Sequence, residues 1–264
     1  MPAPVRASAR ILWLLLALAA AAAPAPAAAS PDLLGPPQRQ WLANHGPLKI
    51  GVFSDYPPYG FLDAKAQPAG ISIDLWRLVA RKLDLKLSFT PARFADQLAG
   101  LKNGRFDSLA GCFPLAERQA FAQFSEPFLT IGAYIWTAPA LAKSVQGLND
   151  LKGRSVGAVA GDSGQVLAQK AGLTVTAFAD YPQAVKALAA GDVQAIVMDE
   201  LVVEHVAKEA GLTGRLARAG AAVDQGRMTW PVAKGNAMLL EILNLGLKAV
   251  SPAELKAITD QWLK

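Results

Sequence analysis

Few residues in this sequence are arranged for catalysis. The two histidines, His45 and His205, have no cysteine or carboxylate partner at the spacing of a metal-ligand set. Cys112 is the single cysteine, so an internal disulfide is impossible. A zinc site or a histidine-based triad is therefore not expected, and we predict no catalytic residue, no metal and no cofactor.

Two other segments carry groups suited to binding. Gly161-Asp162-Ser163-Gly164 lies between an expected strand and an expected helix, where free backbone N–H groups could meet a phosphate or a carboxylate. It is not a P-loop, because the lysine and the spacing of that motif are missing. A plain helix N-cap is the alternative, and it is compatible with ligand contact. Asp199 directly follows four apolar residues, and such a carboxylate is costly to bury without a cation.

A repeated helix-then-strand unit indicates how these segments are positioned. Residues 94–104 and 181–191 share an initial aromatic residue, apolar positions at the same spacing and a terminal glycine. Each copy leads into a short apolar run, at 106–110 and 193–198. A glycine between a helix and a buried strand is typical of an α/β domain, whose ligands bind beyond the carboxyl ends of the strands. Two such halves facing each other would form a cleft.

Both halves follow a β-α-β-α-β order, which favours parallel strands joined by right-handed crossovers. Apolar spacing predicts strands at 48–53, 85–89 and 106–110 in the first half, and at 155–159, 173–178 and 193–198 in the second. It predicts helices at 71–83, 94–104, 163–171 and 181–191. Residues 133–138 and 228–233 are expected to cross between the halves as a hinge, and the amphipathic stretches 238–250 and 253–263 to cover the first half.

Residues 1–29 have the pattern of a secretory signal peptide. Arg6 and Arg10 precede the apolar run 11–18, and Ala27-Ala28-Ala29 offers a small-residue cleavage site. A retained membrane anchor is the alternative, but the run is shorter than the roughly 20 residues of a membrane span. We therefore expect cleavage near Ala29, a periplasmic protein, and a linker at residues 30–46.

The charge of the chain gives no indication of nucleic-acid binding. Removal of residues 1–29 lowers the formal net charge from +5 to +3, and no cluster of Lys and Arg interleaved with aromatic residues is present. The remaining length, about 235 residues, is enough for two domains of ordinary size.

A series of short motifs resembles the family 3 periplasmic solute-binding proteins, which carry polar amino acids to ABC importers. The motifs follow the family order at 48–52, 55–61, 70–76, 104–107, 117–118, 124–128, 150–153, 156–157 and 191–199. The resemblance implies an α/β, two-lobed periplasmic-binding-protein fold of type II, in which each lobe is a mostly parallel sheet flanked by helices. It implies a two-strand hinge between lobe 1, residues 47–131 with 228–264, and lobe 2, residues 132–227.

The resemblance also implies a ligand site between the lobes. Arg118 matches the arginine that grips the ligand α-carboxylate, for which its planar fork of donors is suited. Asp199 matches the acid that receives the ligand ammonium group, while Tyr56 and Phe94 match aromatic residues that sandwich the ligand side chain. Ser163 and its neighbouring N–H groups would contact the carboxylate from the opposite lobe. The other members of the expected site are Gly111, Phe113, Asp162 and Gly164.

The sequence departs from the family pattern at three polar positions. Where the family commonly has serine and threonine before Glu117-Arg118, this chain has residues 111–116, Gly-Cys-Phe-Pro-Leu-Ala. Phe53 stands where many members place an aspartate. Three lost polar contacts, each worth about 1 kcal/mol net, indicate a less polar ligand, or one held mainly by Arg118 and Asp199. We therefore do not assign the chain as an arginine, histidine or glutamine binder.

Three functions remain open. The first is a binding protein that closes around a small amino-acid-like or carboxylate solute and docks to the membrane subunits of an ABC importer. The second is a periplasmic enzyme similar to cyclohexadienyl dehydratases, in which Glu200 or Glu204 would be the acid. The third is a stand-alone ligand sensor. We favour the first, because solvation on a helix surface explains both glutamates more simply.

Overall fold

Two five-stranded sheets organise the part of the chain that the computed structural model describes, residues 33–263 with Met1. The expected signal peptide lies outside these residues. In lobe 1 the strands are, in spatial order, β5 (Leu87–Ala92), β1 (Leu48–Phe53), β6 (Ser108–Leu109), β13 (Pro231–Ala233) and β7 (Ala122–Phe124). Strand β1 is parallel to β5 and β6, and β13 is antiparallel to β6 and β7.

The sheet of lobe 2 has the same mixed character. Its strands are, in spatial order, β10 (Val175–Phe178), β9 (Val156–Val159), β11 (Ala195–Asp199), β8 (Leu129–Thr137) and β12 (Ala217–Met228). Strand β9 is parallel to β10 and β11, whereas β8 is antiparallel to β11 and β12. The parallel strands expected in each half are thus present, and antiparallel strands extend both sheets.

Helices flank the two sheets, and a small hairpin sheet lies beside lobe 1. The small sheet consists of β2 (Asp55–Tyr56), β3 (Gly60–Leu62) and β4 (Pro68–Ala69). The helices are α1 (Pro36–His45), α2 (Ile71–Leu83), α3 (Phe94–Lys102), α4 (Pro139–Ala142), α5 (Ser163–Lys170), α6 (Tyr181–Ala190), α7 (Glu200–Glu209), α8 (Ala237–Lys248) and α9 (Pro252–Trp262), with a 3₁₀ turn at Leu148–Leu151. Over the described residues, none of these helices is both long and apolar enough to cross a membrane.

The glycines that end the two repeat units have a left-handed backbone conformation. Gly104 follows α3 with φ +79°, and Gly191 follows α6 with φ +87°. This left-handed conformation is readily accessible to glycine and lets the chain reverse after the last helical turn. The two copies therefore position β6 and β11 in the same way, each after a short turn that follows its helix.

The two C-terminal helices pack on lobe 1. A Cβ at Gly246 of α8 would lie 2.4 Å from Val79 Cγ1 of α2, so the glycine permits the close approach of these helices. Lys82 of α2 pairs with Glu254 of α9 at 2.8 Å, and Trp262 Nε1 donates to Asp74 Oδ2 at 2.9 Å. The amphipathic stretches near the carboxyl end thus cover the lobe that we expected them to cover.

The chain passes between the lobes just before β8 and just after β12. Strand β7 ends at Phe124 in one sheet and β8 begins at Leu129 in the other. The return lies between Met228 and Pro231. The expected crossing at 133–138 is wrong, because these residues lie inside β8 or directly after it, with 133–137 paired to β11. The predicted lobe ranges stay a proposal.

Helix α1 lies in the expected linker. The sequence pattern does not predict it, because residues 36–45 lack the apolar spacing of an amphipathic helix. Trp41 and Leu42 are partly buried against the core, and Gln38 donates to Glu241 of α8 at 2.7 Å. The described part of the linker is therefore attached to lobe 1.

Candidate functional site

A small cavity lies where the carboxyl ends of strands from both lobes meet. Six of the nine expected site residues line it: Tyr56, Phe94, Gly111, Phe113, Arg118 and Asp162. Its volume is about 10 Å³, which is room for roughly one water molecule. The lobes must therefore move apart before an amino acid can enter.

Arg118 reaches from lobe 1 to the opposite lobe. The side chain is 3% exposed and comes from the loop between β6 and β7. Its Nη1 donates to the Phe113 carbonyl at 2.9 Å, and its Nη2 donates to the Gly161 carbonyl of lobe 2 at 2.7 Å. The guanidinium lies 5.1 Å from the centre of the Phe94 ring. A buried, pre-oriented fork of this kind is suited to a carboxylate.

Asp199 is the last residue of β11 in lobe 2, and its side chain faces lobe 1. The carboxylate is 1% exposed, and its Oδ2 accepts a hydrogen bond from the Tyr56 hydroxyl of lobe 1. Burial raises the pKa of Asp199 well above its usual value, and the nearby charge of Asp162 raises it further. The hydrogen bond from Tyr56 opposes this shift. Asp199 therefore has a donor partner but remains costly to ionise.

Asp162 adds a second buried carboxyl group to the cavity wall. It is 4% exposed and occupies the N-cap position of α5, but its side chain caps no backbone N–H. Ser163 Oγ donates to its Oδ1 at 3.4 Å. Burial raises the pKa of Asp162, while the positive charge of Arg118 lowers it. Asp162 is thus the N-cap residue of α5 without a side-chain cap hydrogen bond, and it also lines the cavity.

Gly164 serves packing at the edge of the site. A Cβ at this position would lie 2.1 Å from the Val197 carbonyl oxygen, so only glycine lets α5 approach β11 so closely. Gly164 does not line the cavity, and neither does Ser163, which contacts it only through Asp162. The N–H of Gly161 is already bonded to Gln165 Oε1 at 2.8 Å.

Aromatic rings form the remaining wall. Phe53 stacks on Phe94 with centroids 5.4 Å apart and contacts Tyr56 at 4.7 Å. Tyr56 in turn contacts Tyr181 of lobe 2, also at 4.7 Å. Phe53 thus contacts both rings that the resemblance places beside the ligand side chain.

The residues that sequence reasoning misses come from distant parts of the chain. Cys112, Tyr181 and Met228 line the cavity, and Phe53 stands out in the sequence only as a departure from the family pattern. Tyr181 begins the second repeat unit at the position of Phe94 in the first, which is the one signal that could have identified it. Cys112 and Met228 adjoin the second crossing, where Cys112 and Thr229 exchange backbone hydrogen bonds.

Further contacts join the lobes around the cavity. The N–H of Tyr181 donates to Asp55 Oδ2 at 3.3 Å. At the rim, Lys170 pairs with Glu117 at 3.4 Å and Arg93 lies 4.0 Å from Asp180. The structure therefore shows the lobes closed against each other.

Other potential catalytic groups lie outside the cavity. His45 has a carboxylate partner that the sequence does not reveal, Asp107, at 3.2 Å. Over residues 33–263 no group of three or more potential ligands could hold a metal ion. Glu200 is bonded to Arg218, Glu204 is exposed, and neither lines the cavity.

Two α/β lobes that enclose oppositely charged side chains define a two-lobed solute-binding fold. The model of the bacterial extracellular solute-binding proteins, family 3, matches residues 48–264. The chain belongs to this family, as the motif series indicated.

The relatives of this chain include a cystine-binding protein and a sensor protein. The L-cystine-binding protein TcyJ of Escherichia coli is 25% identical over 221 residues, covering 82% of this chain and 82% of TcyJ. The virulence sensor protein BvgS of Bordetella bronchiseptica is 26% identical over 234 residues, covering 85% of this chain but 18% of BvgS.

A solved structure shows the same fold. An ancestral arginine-binding protein bound to glutamine superposes with a TM-score of 0.75 and 29% identity. The superposition covers 83% of this chain and 98% of that protein.

Proposed function

We propose that this protein captures a small amino-acid-like or carboxylate solute between its lobes and delivers it to an ABC importer. One observation carries the proposal. Arg118 of lobe 1 and Asp199 of lobe 2 are both buried, and each is bonded to a group of the opposite lobe. A ligand with a carboxylate and an ammonium group can take over both contacts.

The contacts of the closed lobes resemble those of such a ligand. The Gly161 carbonyl accepts from Arg118, as a ligand carboxylate would, and the Tyr56 hydroxyl donates to Asp199, as a ligand ammonium group would. A ligand that makes both contacts touches both lobes. It therefore favours the closed state by its differential affinity for that state.

The experiment is a thermal-unfolding series across the twenty amino acids and several aromatic carboxylates. A ligand that binds the folded protein raises the transition temperature, by an amount equivalent to RT ln(1 + [L]/Kd) in stability. We expect one or a few compounds to do so. Arg118→Lys keeps the charge but loses the bidentate fork, and should reduce the affinity by at least tenfold.

The matched control is Arg77→Lys on α2. Arg77 also bonds a backbone carbonyl, that of Pro68 at 2.9 Å, but does not line the cavity. Arg77→Lys should leave the ligand-induced rise in transition temperature unchanged. A full shift in the Arg118→Lys protein would contradict the role of Arg118, and no shift with any compound would contradict amino-acid capture.

A sensor is the second candidate function. The likeness to BvgS, a sensor protein, supports it, as does the closed state held by the protein's own side chains. Coexpression with the membrane subunits of an ABC importer, followed by an uptake assay with the compound that shifts the transition temperature, separates the two functions. Uptake that requires this protein supports transport, and ligand binding without uptake supports sensing.

The proposed function requires the binding cleft to lie in the periplasm. Export by the signal peptide at residues 1–29 and cleavage near Ala29 would place the binding cleft in the periplasm. Mass spectrometry of the protein recovered from a periplasmic fraction would give the new N-terminus.

A further inference from the structure

The ionisable groups at the cavity do not balance. Arg118 and Asp162 line the cavity, whereas Asp199 does not line it but is bonded to the lining residue Tyr56. Arg118 supplies one positive charge, and the two acids supply two negative charges when ionised. All three side chains are at most 4% exposed. Buried charges without a counter-charge are strongly unfavourable, so Asp199 holds a proton in the ligand-free cleft and ionises only when a ligand cation takes the place of that proton.

The positive charge of Arg118 acts on only one of the two acids, Asp162. It lowers the pKa of Asp162, but among the described residues no cationic side chain lowers the pKa of Asp199. The remaining acid close to Asp199, Asp224, makes its surroundings more negative. The charge that is missing is therefore positive.

The groups around the cavity do not supply that charge. At the rim, Lys170 pairs with Glu117, and Arg93 lies beside Asp180, so these cations have acidic partners. Asp55 adds a further carboxyl group behind Tyr181.

We infer that the ligand carries a net positive charge, and that Asp162 is the residue that determines this preference. The inference rests on the proposed function, because it concerns the same cleft. A neutral zwitterion adds one charge of each sign and leaves the surplus of one negative charge in place. A ligand with a second cationic group removes it.

The aromatic wall is compatible with such a ligand. The wall consists of four rings in contact, those of Phe53, Tyr56, Phe94 and Tyr181. The guanidinium of Arg118 lies over the Phe94 ring. Ring faces attract cations and also accommodate the apolar stem of a long side chain. The loss of polar side chains at positions 53 and 113 therefore does not exclude a cationic ligand.

The test is calorimetric titration with three amino acids of the same carbon skeleton. L-lysine has net charge +1, L-norleucine 0 and L-2-aminoadipate −1. We expect L-lysine to bind the unaltered protein at least tenfold more tightly than L-norleucine, and L-2-aminoadipate to bind most weakly. Asp162→Asn should lower the preference for L-lysine over L-norleucine at least tenfold.

The control variant is Asp192→Asn. Asp192 is an exposed aspartate of lobe 2, so the change also removes one negative charge, but the residue does not line the cavity. It should keep the preference for L-lysine. The order of the three ligands on the unaltered protein tests the inference even if Asp162→Asn does not fold.

The outcomes separate this inference from the proposed function. If L-norleucine binds at least as tightly as L-lysine and Arg118→Lys weakens it, the inference is overturned and amino-acid capture stands. Persistence of the lysine preference in Asp162→Asn also overturns the role of Asp162. If n-pentylamine, a cation without a carboxylate, binds as tightly as L-lysine, the charge preference stands and carboxylate capture fails. Binding of none of the four compounds overturns both.

Discussion

The hydroxyl of Tyr56 in lobe 1 donates a hydrogen bond to the carboxylate of Asp199 in lobe 2. The two residues are 143 positions apart in the sequence, and both are buried. This contact holds the cleft closed with the protein's own groups. Under the proposed function, a ligand ammonium group displaces the Tyr56 hydroxyl from Asp199.

Removal of the Tyr56 hydroxyl should loosen the closed state. Tyr56→Phe keeps the ring but leaves a buried carboxylate without its donor, at a cost of about 1–3 kcal/mol. Without ligand, the radius of gyration from small-angle X-ray scattering should increase, and the transition temperature should fall.

The control for this experiment is Tyr59→Phe. Tyr59 is also buried, and its ring centre lies 5.1 Å from that of Tyr56, but the hydroxyl that donates to Asp199 is that of Tyr56. It should leave the radius of gyration unchanged. Equal compactness of the Tyr56→Phe and unaltered proteins would show that the contact does not hold the lobes together.

The stability of the protein should depend on pH through Asp199. Its folded-state pKa is raised well above 3.8, mainly by burial. Above about pH 4 the unfolded state has therefore lost a proton that the folded state retains, and the free energy of unfolding falls by about 1.4 kcal/mol per pH unit until the raised pKa is reached. Asp199→Asn removes this loss.

Urea unfolding at several pH values measures the difference. The stability of Asp199→Asn relative to the unaltered protein should increase from pH 4 to pH 7.5. Asp192→Asn, a change at an exposed aspartate of the same lobe, should show no such trend. A stability difference for Asp199→Asn that is constant with pH would mean that Asp199 titrates normally.

How far the sequence predicts the fold depends on the kind of signal. The spacing of apolar residues predicts α2 at its observed bounds, Ile71–Leu83. Strand β5 is expected at 85–89 but runs from Leu87 to Ala92 and includes Pro91. Proline is tolerated there because β5 is an edge strand, a position that only the three-dimensional pairing reveals.

The residues of the candidate site likewise divide into those that motifs identify and those that only the structure identifies. Arg118 and Asp199 are recognisable from motifs, and the structure bonds each to a group of the opposite lobe, although only Arg118 lines the cavity. Met228 carries no local signal of a cavity wall, and Tyr181 carries only its place in the repeat, since the position of both depends on how the lobes close. The surplus negative charge from Asp162 likewise emerges only when burial is known.

Gly164 should be intolerant of a side chain. In Gly164→Ala the new Cβ would meet the Val197 carbonyl oxygen, and α5 would have to move away from β11. We expect a loss of about 1–3 kcal/mol in the free energy of unfolding. Gly147→Ala is the control, because a Cβ there has no neighbour within 4 Å and φ is −166°. Similar urea midpoints for the two variants would contradict this packing account.

The most direct test is a crystal structure of the protein with the amino acid that raises its transition temperature most. We predict the ligand carboxylate on the guanidinium of Arg118, its ammonium group on Asp199, and the Tyr56 hydroxyl displaced from that carboxylate. A bound ligand elsewhere, with the Tyr56–Asp199 hydrogen bond intact, would contradict capture between the lobes.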